Sequence, residues 1–234
     1  MKLHNGGWVL LAALFLGVAG LAQADTLTGV LPTTPGGTNY QAYYDSTTNL
    51  TWLANANVNG AMTWSAANTW ANGYSVTGYN SAGQNVTVTG WTLPTTTQPD
   101  PTCSDQITVS GFPTQGYGFS CTGSEMGNLF YNVLGGTAGN PLSSTDPFTN
   151  VQFGLYWSAT EYAPGTNGAW YFGFSNGSQS GDGKDSSLYG WAVHAGDVGA
   201  PPTVPEPGAL ALMLAGLALV GFAARRRLAL RSLE

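Results

Sequence analysis

The amino-acid sequence predicts one α+β domain, two short helices on a mainly antiparallel sheet, framed by an apolar helical segment at each end. Three patterns lead there. Helical spacing occurs twice, around Thr63–Asn72 and Ser124–Leu134. Two-residue alternation follows, most clearly at Trp170, Phe172 and Phe174. Residues 8–21 and 208–224 are apolar runs without a charge. Helices early and strands late in one chain form an α+β unit more readily than a repeating β-α-β sheet.

Met1 to Asp25 has the three parts of a secretory signal. Lys2 and His4 begin it, Trp8 to Leu21 forms the apolar stretch, and Ala22-Gln23-Ala24 supplies the small-residue cleavage site. Cleavage by a signal peptidase between Ala24 and Asp25 makes 1–24 the signal peptide, and 25–39 reads as a leader of the mature chain. Thr63 is placed to cap Trp64–Asn72, whose Trp64, Ala67 and Ala71 share a face and whose stop is Gly73. Ser124 is placed to cap Glu125–Leu134, where Met126, Leu129, Phe130 and Val133 follow helical spacing and Gly135-Gly136 ends the run. Strands are expected at Val86 and Val88, and at Ile107 and Val109. Ala169 to His194 reads as two antiparallel strands, Trp170–Phe174 and Tyr189–Val193, joined by a Gly/Ser/Asp-rich loop that begins at the turn dipeptide Asn176-Gly177.

Residues 199–207 form a proline-rich linker ending in Pro205-Glu206-Pro207, and 208–224 follow as a charge-free helix. At helical rise those 17 residues span about 26 Å, enough for a thin bilayer. Arg225, Arg226 and Arg227 then open a basic tail, 225–234, that belongs on the cytoplasmic side. Pro-Glu-Pro, a small-residue apolar helix and an arginine cluster, in that order over Val204 to Arg227, resemble the PEP-CTERM sorting signal. The resemblance implies recognition by an exosortase in a Gram-negative bacterium. The apolar helix would then be a transient inner-membrane anchor, and the destination the cell surface or extracellular matrix.

Charge narrows the partners. Of 18 charged residues, five of the six cations lie in the end segments; between Asp25 and Val204 one lysine faces ten carboxylates, a formal charge of −9. Such a surface repels phosphate backbones and excludes nucleic acid. The same stretch holds 25 aromatic residues, which excludes a disordered chain. Cys103 and Cys121 both lie in the exported part, where disulfides persist. Their bond closes a loop of 17 intervening residues and contributes about 3 kcal/mol. Two cysteines and one exported histidine make a poor zinc set, and no metal is expected.

Tyr44-Asp45 with Thr48-Asn49-Leu50-Thr51-Trp52-Leu53 resembles the opening signature of the Lcl C-terminal domain family of bacterial collagen-like adhesins. Trp64-Ser65-Ala66-Ala67 and Gly90-Trp91-Thr92-Leu93-Pro94-Thr95 are similar to its next two blocks. Tyr156 to Tyr162, Ala169-Trp170-Tyr171 and Trp191-Ala192-Val193 resemble its closing strands. The resemblance spans 40–198 and implies a C-type-lectin-like architecture and an adhesive role. Thr92 and His194 stand where the family commonly has cations, so a sulfated ligand is not implied.

Several motifs carry candidate chemistry beside plainer readings. Gly173-Phe174-Ser175-Asn176-Gly177 matches the nucleophile-elbow pattern, but glycine-rich sequence follows it where an elbow needs a helix. His194 suits the end of a strand better than a base or ligand. Glu125 and Glu161 are the two glutamates available for a glycosidase pair; as structure, Glu125 suits a helix N-terminus. Gln98-Pro99-Asp100 coincides with a calcium-dependent sugar-binding tripeptide, yet proline and aspartate are ordinary loop residues. Asp182 and Asp185 offer hard oxygens for calcium without the spacing of a known calcium loop. The motif tryptophans Trp52, Trp64, Trp91, Trp157, Trp170 and Trp191 read as core. Trp70, Tyr117 and Tyr162, with Asp182 and Asp185, are the expected ligand-binding set. The sum is a non-enzymatic adhesion or glycan-binding module that needs no cofactor and meets neutral exopolysaccharide. The alternatives are a surface hydrolase using a carboxylate pair and a matrix structural protein without a specific ligand.

Overall fold

The computed structural model describes residues 27–202 together with Met213, Ala215 and Leu217, which are helical and exposed. The expected signal peptide, with its expected cleavage site at Ala22, Ala24 and Asp25, and the sorting residues Pro205, Glu206, Pro207 and Arg225–Arg227 lie outside the described residues. So does most of the apolar segment. Among the described residues, no helix is long and apolar enough to cross a membrane.

The fold is α+β with mainly antiparallel sheets. β1 (Leu27–Pro32), β2 (Tyr40–Asp45) and β3 (Leu50–Leu53) form an up-and-down antiparallel run, followed by the short β4 (Ala61–Met62) and helix α1 (Trp64–Gly73). Two hairpins follow, β5 (Val76–Tyr79) with β6 (Asn85–Val88), and β7 (Asp105–Ile107) with β8 (Gln115–Tyr117). Helix α2 (Glu125–Asn128) continues into a π-helical turn, Leu129–Val133. The chain closes with β9 (Leu155–Glu161), β10 (Gly168–Gly173), β11 (Ser178–Gly183), β12 (Leu188–Tyr189) and β13 (Val193–Ala195). One sheet has the order β1-β2-β3-β13 and the other β11-β10-β9-β12-β4.

Three sequence expectations change. Within the stretch read as a leader of the mature chain, residues 27–32 form β1, which pairs with the whole of β2, from Leu27 opposite Asp45 to Pro32 opposite Tyr40. The strands expected to pair across Ala169–His194 do not meet. β10 instead turns at Asn176-Gly177 and pairs with β11, from Gly173 opposite Ser178 to Gly168 opposite Gly183. Gly177, at φ 78°, supplies the left-handed turn residue. β12 pairs with β4 and β9, and β13 with β3. Finally, neither Thr63 nor Ser124 caps its helix through its side chain.

The π turn shows why the second helix is not a continuous α-helix. It sets Phe130 against Phe172 and Phe174, while the Tyr131 hydroxyl donates to the Gly177 carbonyl at 2.7 Å and accepts from Ser120 N at 2.9 Å. One short segment therefore packs the core and anchors the β10–β11 turn.

The core is aromatic. Trp52, Trp91, Trp157, Trp170 and Trp191 are all essentially buried. Trp191 is its hub, with Trp52, Phe148, Phe174 and Tyr156 rings at centroid distances of 4.9–5.9 Å. Its indole N–H donates to the Leu53 carbonyl, and that of Trp157 to Met62. These bonds satisfy the polar tips of Trp191 and Trp157, whereas the buried indole N–H groups of Trp52 and Trp170 have no partner. Buried Asp45 closes the β2–β3 turn, accepting from Thr47 N at 2.9 Å and from the Thr48 hydroxyl at 2.7 Å. The Tyr44-to-Leu53 block is thus a hairpin with its own internal clamp.

Candidate functional site: an aromatic cleft without cations

The β7–β8 hairpin leans on the edge of the five-stranded sheet. Gly118 and Gln179 exchange backbone hydrogen bonds of 2.8 and 2.7 Å, and the Gln179 side-chain amide donates to the Gly116 carbonyl. Beyond that single bridge the two edges part, leaving a cleft of about 660 Å³. This lies within the usual range for ligand pockets. Tyr117 and Ile107 form one wall; Tyr162, Trp170, Asn167 and Asp182 form the other, over a floor that includes Gly165, Gly168 and Gly181.

The floor has no side chains and one ring over it. A Cβ added at Gly165 or Gly181 would meet the Tyr162 ring at 3.7 Å, so the ring lies directly on the glycine surface. Tyr162 also packs edge-on against Trp170, with centroids 5.5 Å apart. Trp170 is buried, and its indole N–H has no hydrogen-bond partner. Tyr117 is 37% exposed. Asp182 accepts from the backbone N–H of Gly183 at 2.7 Å through one carboxylate oxygen. Gly181 lies one alternation beyond Gln179, so its backbone N–H and C=O face away from β10 along the same open edge.

No cation reaches into this cleft from the domain's single lysine. Lys184 Nζ is 2.8 Å from Glu161, donates to the Thr166 carbonyl at 2.6 Å, and stands 4.3 Å over the Trp64 ring. Its charge is consumed in joining the end of β11 to α1. Trp64 is accordingly half-buried rather than core, with its indole N–H on the Ser158 carbonyl.

Of the five expected ligand-binding residues, Tyr117, Tyr162 and Asp182 converge on the cleft. Trp70 does not: it is half-buried against Tyr74 and close to Gly190. Asp185 is exposed and outside the lining. Trp170, a core position by its sequence pattern, is both core and cleft wall. Asn167, Gly165, Gly168 and Gly181 carried no sequence signal except glycine in a strand, which marks close approach of a partner.

The other motifs are closed. Gln98 donates to the Gly116 carbonyl at 2.8 Å and accepts from Gly116 N at 2.7 Å. Asp100, fully buried, accepts from Thr102 N and its hydroxyl at 3.1 and 2.6 Å, and from the Ser124 hydroxyl at 3.4 Å. Asp100 lies beside Cys103 and Cys121, but those sulfurs are joined to each other, with Cα atoms 4.1 Å apart. Ser175 lies between β10 and β11 in a hairpin turn, not before a helix. His194 sits in β13 opposite Thr51 with its ring edge-on to Trp91. Glu125 accepts from Thr95 N at 2.7 Å, and burial pushes its carboxyl above the usual glutamate range. Glu161 is held by Lys184. Each carboxylate has a structural partner.

Residues 203–227 match the PEP-CTERM protein-sorting motif. The motif makes this an exported protein, processed by an exosortase and destined for the cell surface. That match lies outside the folded domain, whose role rests on its own geometry. No curated protein and no solved structure matches the chain at a significant level.

Proposed function

We propose that the domain is a non-enzymatic adhesion module of the cell surface or exopolysaccharide matrix that binds an uncharged glycan in the Tyr117–Tyr162 cleft. The observation that carries this reading is an open aromatic cleft whose polar groups are not used up by the protein. Sugar rings present apolar C–H faces that stack on tyrosine, and hydroxyls that need both donors and acceptors. Asn167, Asp182 and the Gly181 backbone supply both kinds. Sulfated or carboxylated sugars are disfavoured, because Asp182 is close and the only lysine is engaged elsewhere. On this reading the domain is a member of the Lcl-like adhesins with a C-type-lectin-like architecture, turned from anionic to neutral ligands. Asp100 does not serve as a calcium ligand on this reading, because its carboxylate is held by Thr102 and Ser124.

The test is titration of the mature protein with polysaccharide from the producing bacterium, with and without calcium. Expected are saturable binding indifferent to chelator and a loss of at least about tenfold in Tyr162→Ala, as for one stacked ring. Absence of binding to any matrix polysaccharide would remove the reading in favour of a structural matrix protein. Release of reducing ends during incubation would favour a hydrolase.

A further inference from the structure

A second cavity, of about 320 Å³, opens among β2, the end of β3, the close of α1 and the 147–149 segment. We propose that it is a second, independent site for an uncharged saccharide, so that one domain bridges two glycan chains. Tyr40, Tyr43 and Tyr74 line it together with Asn39, Asn55 and Thr149. The three tyrosines are half-buried; Tyr40 and Tyr43 pack edge to face with centroids 6.1 Å apart, Tyr43 also meets Phe148 and Tyr74 meets Trp70, so the rings are held in place around the cavity.

The lining chemistry selects the ligand. The lining contains no Lys, Arg, His, Asp or Glu, so it offers no counter-charge for phosphate or sulfate, and Asp146 beside Tyr43 disfavours anions further. An apolar ligand would strip water from the phenol groups and side-chain amides around it without replacing their hydrogen bonds. Aromatic faces interleaved with uncharged donors and acceptors suit a polyhydroxylated ring. The Asn55 carbonyl oxygen is already taken by Asn57 N and Asn150 Nδ2, at 3.0 and 3.1 Å, which leaves its own amide N–H groups to donate.

The two cavities share no lining residue. The first is built on the β10–β11 edge and the β7–β8 hairpin, the second on the other sheet. Two separate sites on one rigid core convert a glycan binder into a cross-link, whose strength in a polymer network exceeds that of either site alone. This bridging role rests on the first cleft binding glycan, but the second site does not.

The experiment is calorimetric titration of the full chain in a sugar-free detergent with linear uncharged hexasaccharides of glucose and of mannose. Expected is a stoichiometry of two per chain, falling to one in Tyr162→Ala and separately to one in Tyr74→Ala. Tyr43→Phe, which removes a hydroxyl and keeps the packing, should weaken the second site about tenfold, the effect of one lost hydrogen bond to a ligand. Melting curves of each variant establish that the fold survives. One site, abolished by Tyr162→Ala and indifferent to Tyr43→Phe, overturns the second site and leaves the first intact. One site abolished through Tyr43 or Tyr74 alone overturns the first and with it the bridge. No heat with any sugar overturns both.

Discussion

The loop at Gln98–Asp100 and the cleft at Tyr162–Asp182 begin with similar credentials and end differently. Both are polar segments beside the β7–β8 hairpin, and the loop has the better motif. Its polar atoms, however, are spent internally: both ends of the Gln98 amide on Gly116, and the Asp100 carboxylate on Thr102 and Ser124. The cleft leaves a strand edge and one carboxylate oxygen open around 660 Å³ of space. A motif reports residue types; unspent hydrogen-bonding capacity reports a site.

The largest effect that would sharpen this contrast is expected at the loop. Asp100→Ala empties a fully buried position and leaves the buried Ser124 hydroxyl, together with the N–H and hydroxyl of exposed Thr102, without their acceptor, and should cost about 3 kcal/mol in urea unfolding. A loss below about 1 kcal/mol would mean that the Asp100 hydrogen bonds do not hold the loop in place. The Cys103→Ser/Cys121→Ser double variant should lose a similar amount, about 3 kcal/mol, and should also weaken glycan binding, because the bond lies at the base of the Tyr117 wall.

A smaller effect belongs to Glu125. Burial raises its carboxyl in the folded state, so the folded protein binds its proton more tightly than the unfolded chain does. The sign follows: this group favours folding at low pH, and that contribution is lost as pH rises from the ordinary glutamate value through the raised one. Glu125→Gln, which can still accept from Thr95 N, should flatten stability against pH in that window. An unchanged slope would exclude Glu125 as its source. The smallest structural effect is expected at the cleft floor. Gly181→Ala places a methyl at ordinary contact distance from Tyr162, 3.7 Å, so stability should stay within about 0.5 kcal/mol. Glycan affinity should nonetheless fall several-fold. A variant that binds normally would separate the floor from the ligand.

What could be read from sequence follows from where each signal originates. α1 and the start of α2 were visible because Ala67, Ala71, Met126 and Leu129 repeat at helical spacing and are buried. The π turn was not, because its residues keep nearly the same apolar order as an α-helix. β1 and β11 were missed for a common reason. Both lie at a sheet edge, and β11 consists of Ser, Gln, Gly and Asp, which carry no alternation of apolar residues. Its partner was therefore sought farther along, at Tyr189–Val193. Tyr117, Tyr162 and Asp182 could be named as candidates by type. That they meet depends on the single Gly118–Gln179 bridge, which joins residues 61 positions apart and leaves no local mark.

Lys184 has a consequence outside binding. It is the only lysine or arginine between Asp25 and Val204, so proteases that cut after basic residues have one peptide bond to attack in the whole folded domain. That bond is guarded: Lys184 N donates to the Asn167 carbonyl, its own carbonyl accepts from Trp64 N, and its ammonium is tied to Glu161 and Thr166. Cleavage requires local opening of all these contacts at once. A protein left outside the cell, beyond repair or replacement, is thus nearly invisible to trypsin-like enzymes by composition alone.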